Sequence, residues 1–281
     1  MNRLFAVFGL VAAVVISAVL TLWPTDDPTA VSHKFAQRVA AEVPGVQVAP
    51  AGEFMLYLSR GERVWGVSLD QLQNRCHEGA GVCKTAGTEL LAEIVRLTEA
   101  APRPEMALLR PTLAAPPAPA PFAGQVITQP WVGDLAIRYD FMGPLGTPIV
   151  EFVTTGLARS LKLDPKQLQA QAIAAMDGSN EAPVLRPLLG KRGVSYLEAK
   201  GDPAGEVLSR ARMQVLAERT GVTKFYLGFP VRNMVLFANA NTADGLADIQ
   251  LAVADMRAAF GAQPVSDRIY VLEQGELAAL P

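Results

Sequence analysis

Two histidines and two cysteines are all that 281 residues contain, and this scarcity removes most side-chain chemistry at the outset. A Ser-His-Asp or Cys-His site must use His33 or His77. The first lies just beyond an N-terminal apolar run and the second sits beside Cys76. There is no G-x-S-x-G elbow, no Walker glycine-lysine loop, no G-x-G-x-x-G and no H-E-x-x-H. Excess charge is also missing. Twenty-five Lys and Arg meet 27 Asp and Glu for a net −2, with the basic residues scattered. Phosphate binding needs clustered positive charge, so nucleic acid is excluded as the main partner. Beyond the N-terminus no apolar run reaches ~18 residues, so no second membrane span is expected.

What is present starts at the N-terminus. Leu4 to Trp23 carries no charge, Arg3 precedes it, and Pro24, Asp26 and Asp27 close it. Twenty helical residues at ~1.5 Å each match the ~30 Å hydrocarbon core. A cleavable signal has a shorter apolar core and a small-residue site. Val15-Ile16-Ser17 and Ile16-Ser17-Ala18 are weak sites, and Val19, Leu20 and Leu22 continue past them, which favours an uncleaved anchor over residues 4–23. No lipobox cysteine follows. Arg3 against Asp26 and Asp27 places the N-terminus in the cytoplasm and the remaining domain outside it, in a bacterial periplasm or at the cell exterior, although Lys34 and Arg38 reduce that asymmetry.

The two cysteines occupy Cys76-His77-Glu78-Gly79-Ala80-Gly81-Val82-Cys83. Gly79 and Gly81 allow this segment to fold back, so outside the cytoplasm a local disulfide is the leading reading, worth roughly 2–2.5 kcal/mol in the chain-entropy model. Free thiols come second. A metal site from Cys76, His77 and Cys83 comes last because it lacks a fourth ligand. No metal or cofactor is expected.

Periodicity predicts a helix over Ser32 to Val43, a hairpin of Glu53 to Arg60 and Arg63 to Ser68 around Gly61-Glu62, and a helix over Thr88 to Ala100. Ala101 to Pro121 contains seven prolines and reads as a linker, with Met106 to Arg110 as a possible edge strand. Then follow strands at Val126 to Thr128 and Leu135 to Phe141, and a helix over Ile149 to Leu161. A further helix is opened by Asp164-Pro165-Lys166-Gln167. Val184 to Leu189 and Val194 to Glu198 form a hairpin. Asp202-Pro203 caps a helix reaching Arg219 and ended by Gly221. A hairpin of Thr223 to Phe229 and Asn233 to Ala238 leads into a helix striped by Leu246, Ile249, Val253, Met256 and Phe260. Arg268 to Glu273 is a final strand. A recurring hairpin–helix unit predicts an α+β fold of antiparallel sheets with helices on one face. The expected divisions are an anchor at 1–24, a small lobe at 25–100, a linker at 101–121 and a larger lobe at 122–281.

Acid–base hydrolysis needs only two carboxylates at a suitable separation. Asp134, Asp140 and Glu151 are the candidates, with Trp131 and Tyr139 as stacking faces. Against this, Asp134 follows Gly133 as a turn residue does, and Asp140 alternates with Tyr139 as a solvent-facing strand residue does. Asp164, Asp202 and Asp244 read as helix caps. A glycine turn accounts for Glu273-Gln274-Gly275-Glu276.

The stretches Gly201-Asp202-Pro203, Asn233-Met234-Val235-Leu236-Phe237-Ala238 and Ile269-Tyr270-Val271-Leu272-Glu273-Gln274-Gly275-Glu276-Leu277, with the helix opened by Leu163-Asp164-Pro165, resemble the YtpQ-like family of bacterial domains. The similarity runs from Ser32 to Leu280. It implies an α+β fold, and since none of the patterns is catalytic it transfers no functional residue. The anchor and the Cys76–Cys83 segment depart from the family's soluble pattern. The expected function is a membrane-tethered, non-enzymatic domain that binds another envelope protein. The alternative is a carboxylate-dependent hydrolase or small-ligand binder using Trp131, Asp134, Asp140 or Glu151.

Overall fold

The computed structural model describes residues 28–51, 54–114, 122, 125–143, 147–178, 182–199, 202–231, 234–260 and 265–280. The anchor run, the Pro-rich segment 115–121 and the expected strand starts at Glu53 and Asn233 lie outside them. Among the described residues no helix is long and apolar enough to cross a membrane. The fold is α+β with antiparallel sheets, in two compact units. One comprises the described residues up to Leu56 plus Ser68–Ala101, the other Tyr57–Val67 plus Pro102 onward.

In the first unit, helix α1 (Pro28–Glu42) buries Val31, Phe35 and Val39 at four-residue spacing, and strand β1 (Gln47–Pro50) follows. The expected loop around the cysteines is instead the junction of two helices, α2 (Asp70–His77) and α3 (Ala80–Ala100). Gly79, at φ 139°, turns the chain between them. Cys76 in the last turn of α2 and Cys83 in the first turn of α3 form a disulfide with Cα atoms 4.1 Å apart. Gly81 and Gly87, both poor helix formers, hid the first two turns of α3 from periodicity. Gly87 lies against Phe35 and Leu72, where a Cβ would find ordinary contact distances, so α1, α2 and α3 pack closely there.

The second unit holds two sheets. The hairpin of β2 (Met55–Arg60) and β3 (Arg63–Ser68) turns at Gly61, whose φ of 62° suits the first position of a type II′ turn. Strands β4 (Leu109–Ala114), β5 (Thr128–Pro130), β6 (Ala136–Met142) and β7 (Ile149–Phe152) complete the order β2-β3-β7-β6-β4, with β5 also on β6. Six residues of the expected linker are therefore sheet. Pro111 is tolerated because β4 is an edge strand. The helix expected from Ile149 begins only at Thr155. Ile149–Phe152 pairs with both β3 and β6, and Thr154 then caps helix α4 (Thr155–Leu161) by accepting from the Leu157 N–H at 3.0 Å. Helix α5 (Leu168–Asp177) follows.

The second sheet contains β8 (Val184–Pro187), β9 (Val194–Glu198), β10 (Lys224–Val231), β11 (Met234–Asn239), β12 (Ile269–Glu273) and β13 (Glu276–Ala279). Their order is β13-β12-β10-β11-β9-β8. The helix expected from Asp202 to Arg219 is two helices, α6 (Pro203–Glu206) and α7 (Arg210–Thr220), with Ser209 capping the second through the Arg212 N–H at 3.2 Å. Helix α8 (Gly245–Phe260) is continuous.

Helices cover both faces of this sheet rather than one. Val235 and Phe237 point into a core with α6, α7 and the Ile137, Tyr139 and Phe141 side chains of the first sheet. Leu236 and Ala238 point the other way, onto Ile249, Ala252 and Val253 of α8. An unbroken apolar run of this kind belongs to a strand buried on both faces.

Candidate functional site

The four residues selected from sequence fall in three places. Asp140 and Arg138 project from the same face of β6, as residues two apart must, and form a bidentate ion pair with both N–O distances at 2.9 Å. Asp140 is only 3% exposed, so it does not face solvent as expected. Alternation along a strand cannot separate a wet face from a buried, self-neutralising charge pair. The Arg138 guanidinium also lies 4.4 Å over the Phe152 ring, a favourable cation–π placement. Burial alone would pull this guanidinium down, but the Asp140 charge and hydrogen bonds outweigh it and raise Arg138 above its ordinary value.

Glu151 sits opposite Phe141 on β6 and Trp65 on β3, whereas Asp140 sits opposite Phe152. The two carboxylates therefore leave opposite faces of the sheet. Glu151 is bound by Arg63 through both oxygens, one at 2.6 Å, and Arg63 in turn lies over Trp65. Burial pushes the Glu151 carboxyl up, and Arg63 opposes that shift.

Trp131 and Asp134 share the tight turn before β6. Trp131 packs its ring against the main core. Asp134 accepts from the Ser266 hydroxyl at 2.6 Å and from the Tyr270 hydroxyl. Burial would raise its carboxyl, but these hydroxyls and the backbone N–H groups of Asp134 and Asp267 hold it below the usual value. Tyr270 is pushed up to about 12, by burial first and then by Asp134. Asp134 is thus a staple between the turn and β12. Four strand residues, ~13 Å of extended chain, separate the start of β6 from Asp140. The three carboxylates do not converge on Trp131, and each already has partners.

A buried network that sequence reasoning missed organises the start of α7. Arg212 donates to Glu206 at 2.8 Å, to Asp177 at 3.3 Å and to the Met176 carbonyl, while Ser209 donates to Asp177 at 2.6 Å. Burial raises the Glu206 carboxyl against the pull of Arg212 and Arg110. Burial, and then the Arg212 charge, lower Arg110. Close packing fixes α6 as well, since a Cβ on Gly205 would lie 2.0 Å from the Pro111 carbonyl oxygen.

With its first turn held this way, α7 forms one wall of a cleft of about 570 Å³. Arg210, Gln214 and Glu218, spaced by four, line that wall, and Met213, Phe225 and Leu272 form an apolar floor. Gln274 and Gly275 close the Arg210 end: a Cβ on Gly275 would lie 2.6 Å from Arg210 Cγ. Gln274 and Gly275 both have positive φ, 53° and 78°, which makes the β12–β13 connection a type I′ turn. Glu218 and Thr223 stand toward the Gly221 end. The volume lies in the range of ligand sites, and polar groups over an apolar floor are their usual lining. The signal in the sequence was the polar row at positions 210, 214 and 218 beside the row of Met213 and Ala217.

No family model matches the chain, and neither a curated protein nor a solved structure matches it.

Proposed function

We propose that this chain is a membrane-tethered, non-enzymatic domain, displayed outside the cytoplasm, that binds another envelope protein. The observation that carries the reading is the α7 cleft, which gathers a cation, an anion and two amides over an apolar floor. It contains binding groups and a single carboxylate, whereas the paired chemistry of a hydrolase needs two. The commitment of Asp140 to Arg138, of Glu151 to Arg63 and of Asp134 to Ser266 and Tyr270 supports the same view. For location, the Cys76–Cys83 disulfide is the kind of bond that persists in oxidising compartments, and the Leu4–Trp23 run is the proposed tether. Kinship with YtpQ-like domains is proposed on the residues quoted above and adds no activity.

The test is in-cell crosslinking of the full-length chain, with protease accessibility and thiol labelling in the same intact cells. Recovery of one specific envelope protein, a digestible domain and unlabelled cysteines are expected. Repeated failure to recover a specific partner sinks the binding reading. Labelled thiols in a protected domain sink the location.

A further inference from the structure

We infer that the α7 cleft takes an extended peptide segment carrying an acidic and a basic group about four residues apart. The inference rests on the binding-domain reading and supplies the chemistry of the partner.

Charge spacing comes first. Arg210 and Glu218 are eight residues apart on one helix, ~12 Å along the axis, and extended chain covers that distance in about four residues at ~3.3 Å each. Glu218 makes no ion pair among the described residues. Arg210 has only a loose contact with Glu276, 3.8 Å between side chains 61% and 81% exposed. Such a pair is worth little in water, so its guanidinium is available to an incoming carboxylate. A free amino acid carries its two charges too close together to reach both ends. Nucleic acid offers only anions and leaves Glu218 opposed by nothing.

Between the charges, Gln214 and Gln274 each present a donor and an acceptor, the complement of a peptide group. Met213, Phe225 and Leu272 beneath them suit an apolar side chain from the segment.

Gln274 is the second, independent sign. The first central position of a type I′ turn favours Asn, Asp or Gly, since short polar side chains or none relieve the left-handed backbone. Glutamine has neither advantage, and it makes no side-chain hydrogen bond among the described residues. A residue that the turn does not favour, placed at the mouth of a cleft, fits a role in holding something else.

The experiment is fluorescence anisotropy on the full-length chain in detergent micelles with three fluorescein-labelled pentapeptides. One has aspartate first, leucine third and lysine last; the second exchanges the two charged ends; the third carries asparagine and glutamine there. One charged peptide is expected to bind at least tenfold tighter than the neutral one. Glu218→Lys should weaken that peptide at least tenfold, and adding Arg210→Glu should reverse the preference between the two charged peptides. Gln274→Gly, which suits the turn better, should keep or raise Tm while weakening binding.

The inference is overturned by saturation with none of the peptides, by indifference to the charge variants, or by a Gln274→Gly variant that loses binding only along with Tm. If in-cell crosslinking still recovers a partner while the peptides fail, the cleft assignment falls and the binding-domain reading stands.

Discussion

Strands β6 and β11 are both buried on both faces, by opposite means. In β11, Val235 and Phe237 fill one side and Leu236 and Ala238 the other, with no polar side chain between them. In β6, Ile137, Tyr139 and Phe141 fill one side, but Arg138 and Asp140 occupy the other at 6% and 3% exposure. An isolated buried charge costs several kcal/mol, and only a well-oriented partner offsets it. Here the partner is two residues away on the same strand, in bidentate geometry, with the Phe152 ring against the guanidinium. The contrast concerns register as well as stability. A one-residue slip sends Arg138 and Asp140 into the Tyr139 core and is therefore strongly penalised, whereas in β11 it exchanges one apolar set for another. The hypothesis is that the charge pair specifies the alignment of the first sheet.

The largest expected effect breaks that pair. Asp140→Ala leaves Arg138 buried without its carboxylate and should cost about 3–5 kcal/mol, read from urea unfolding. Replacing both partners, Arg138→Met with Asp140→Leu, should recover most of the loss. A single-variant cost below ~1 kcal/mol would mean the pair is hydrated and the contrast with β11 is false. Phe237→Ala in β11 should cost a similar ~3–5 kcal/mol through a cavity. That loss should be relieved only by refilling volume, as in Phe237→Leu.

The same contrast explains what could be read in the sequence. The five-residue apolar run Met234 to Ala238 in β11 identified a strand, and the stripe from Leu246 to Met256 identified α8, because apolar periodicity reports burial directly. The hairpin turns after Arg60 and between Val184–Leu189 and Val194–Glu198 were legible for a related reason: Gly61, Gly190 and Gly193 in them all take positive φ, 62°, 74° and 71°. Asp140 was misread, and its partner Arg138 passed over, because alternation reports polarity, and polarity means exposure only when no partner is near. The β7 strand was lost because Ile149–Phe152 pairs with strands 82–88 and 8–12 residues away, a tertiary preference that local propensity does not contain. The Cys76–Cys83 pairing was legible from the glycines between the two cysteines, and so was the body of α3 over Thr88 to Ala100, but α2 and the first two turns of α3 were not. Of the candidate site, only the turn at Gln274-Gly275 was legible, and only as a turn. The cleft needs α7, β10 and β12 side by side, and nothing local in Arg210–Glu218 says which strands lie beneath it.

Two glycines sharpen the comparison at an intermediate magnitude. A Cβ on Gly228 of β10 would lie 2.3 Å from Val253 Cγ2, and one on Gly66 of β3 would lie 2.5 Å from Phe152 Cζ. Either Gly→Ala change overpacks its face and should cost roughly 1–3 kcal/mol. Their couplings should differ. Gly228→Ala presses on aliphatic packing alone, so Val253→Ala in the same chain should restore part of the loss. Gly66→Ala presses on the ring that supports Arg138, so it should be non-additive with Asp140→Ala in a double-mutant cycle, while Gly228→Ala should add to Asp140→Ala independently. Equal coupling at both glycines would erase the distinction between the two sheets.

The smallest effect lies where the two sheets are stapled together, at Asp134 beside β6 and Ser266 and Tyr270 at β12. The Asp134 carboxyl is depressed in the folded chain, so the unfolded chain takes up its proton first as pH falls. Its stabilisation is complete above the unfolded value of about 3.9 and is lost as pH drops through the lower folded value. Glu151 and Glu206 are raised and act with the opposite sign: folding gains from their protonation as pH falls from their folded values toward their unfolded ones. The net acid limb therefore mixes both, and the informative measurement is a difference. Tm of the unmodified chain should fall more steeply than Tm of Asp134→Asn between about pH 4 and pH 2, with the two curves running parallel above pH 5. Curves that stay parallel through the acid range would mean that the Ser266 and Tyr270 hydroxyls favour neither protonation state of Asp134, and the staple would then be one of shape alone.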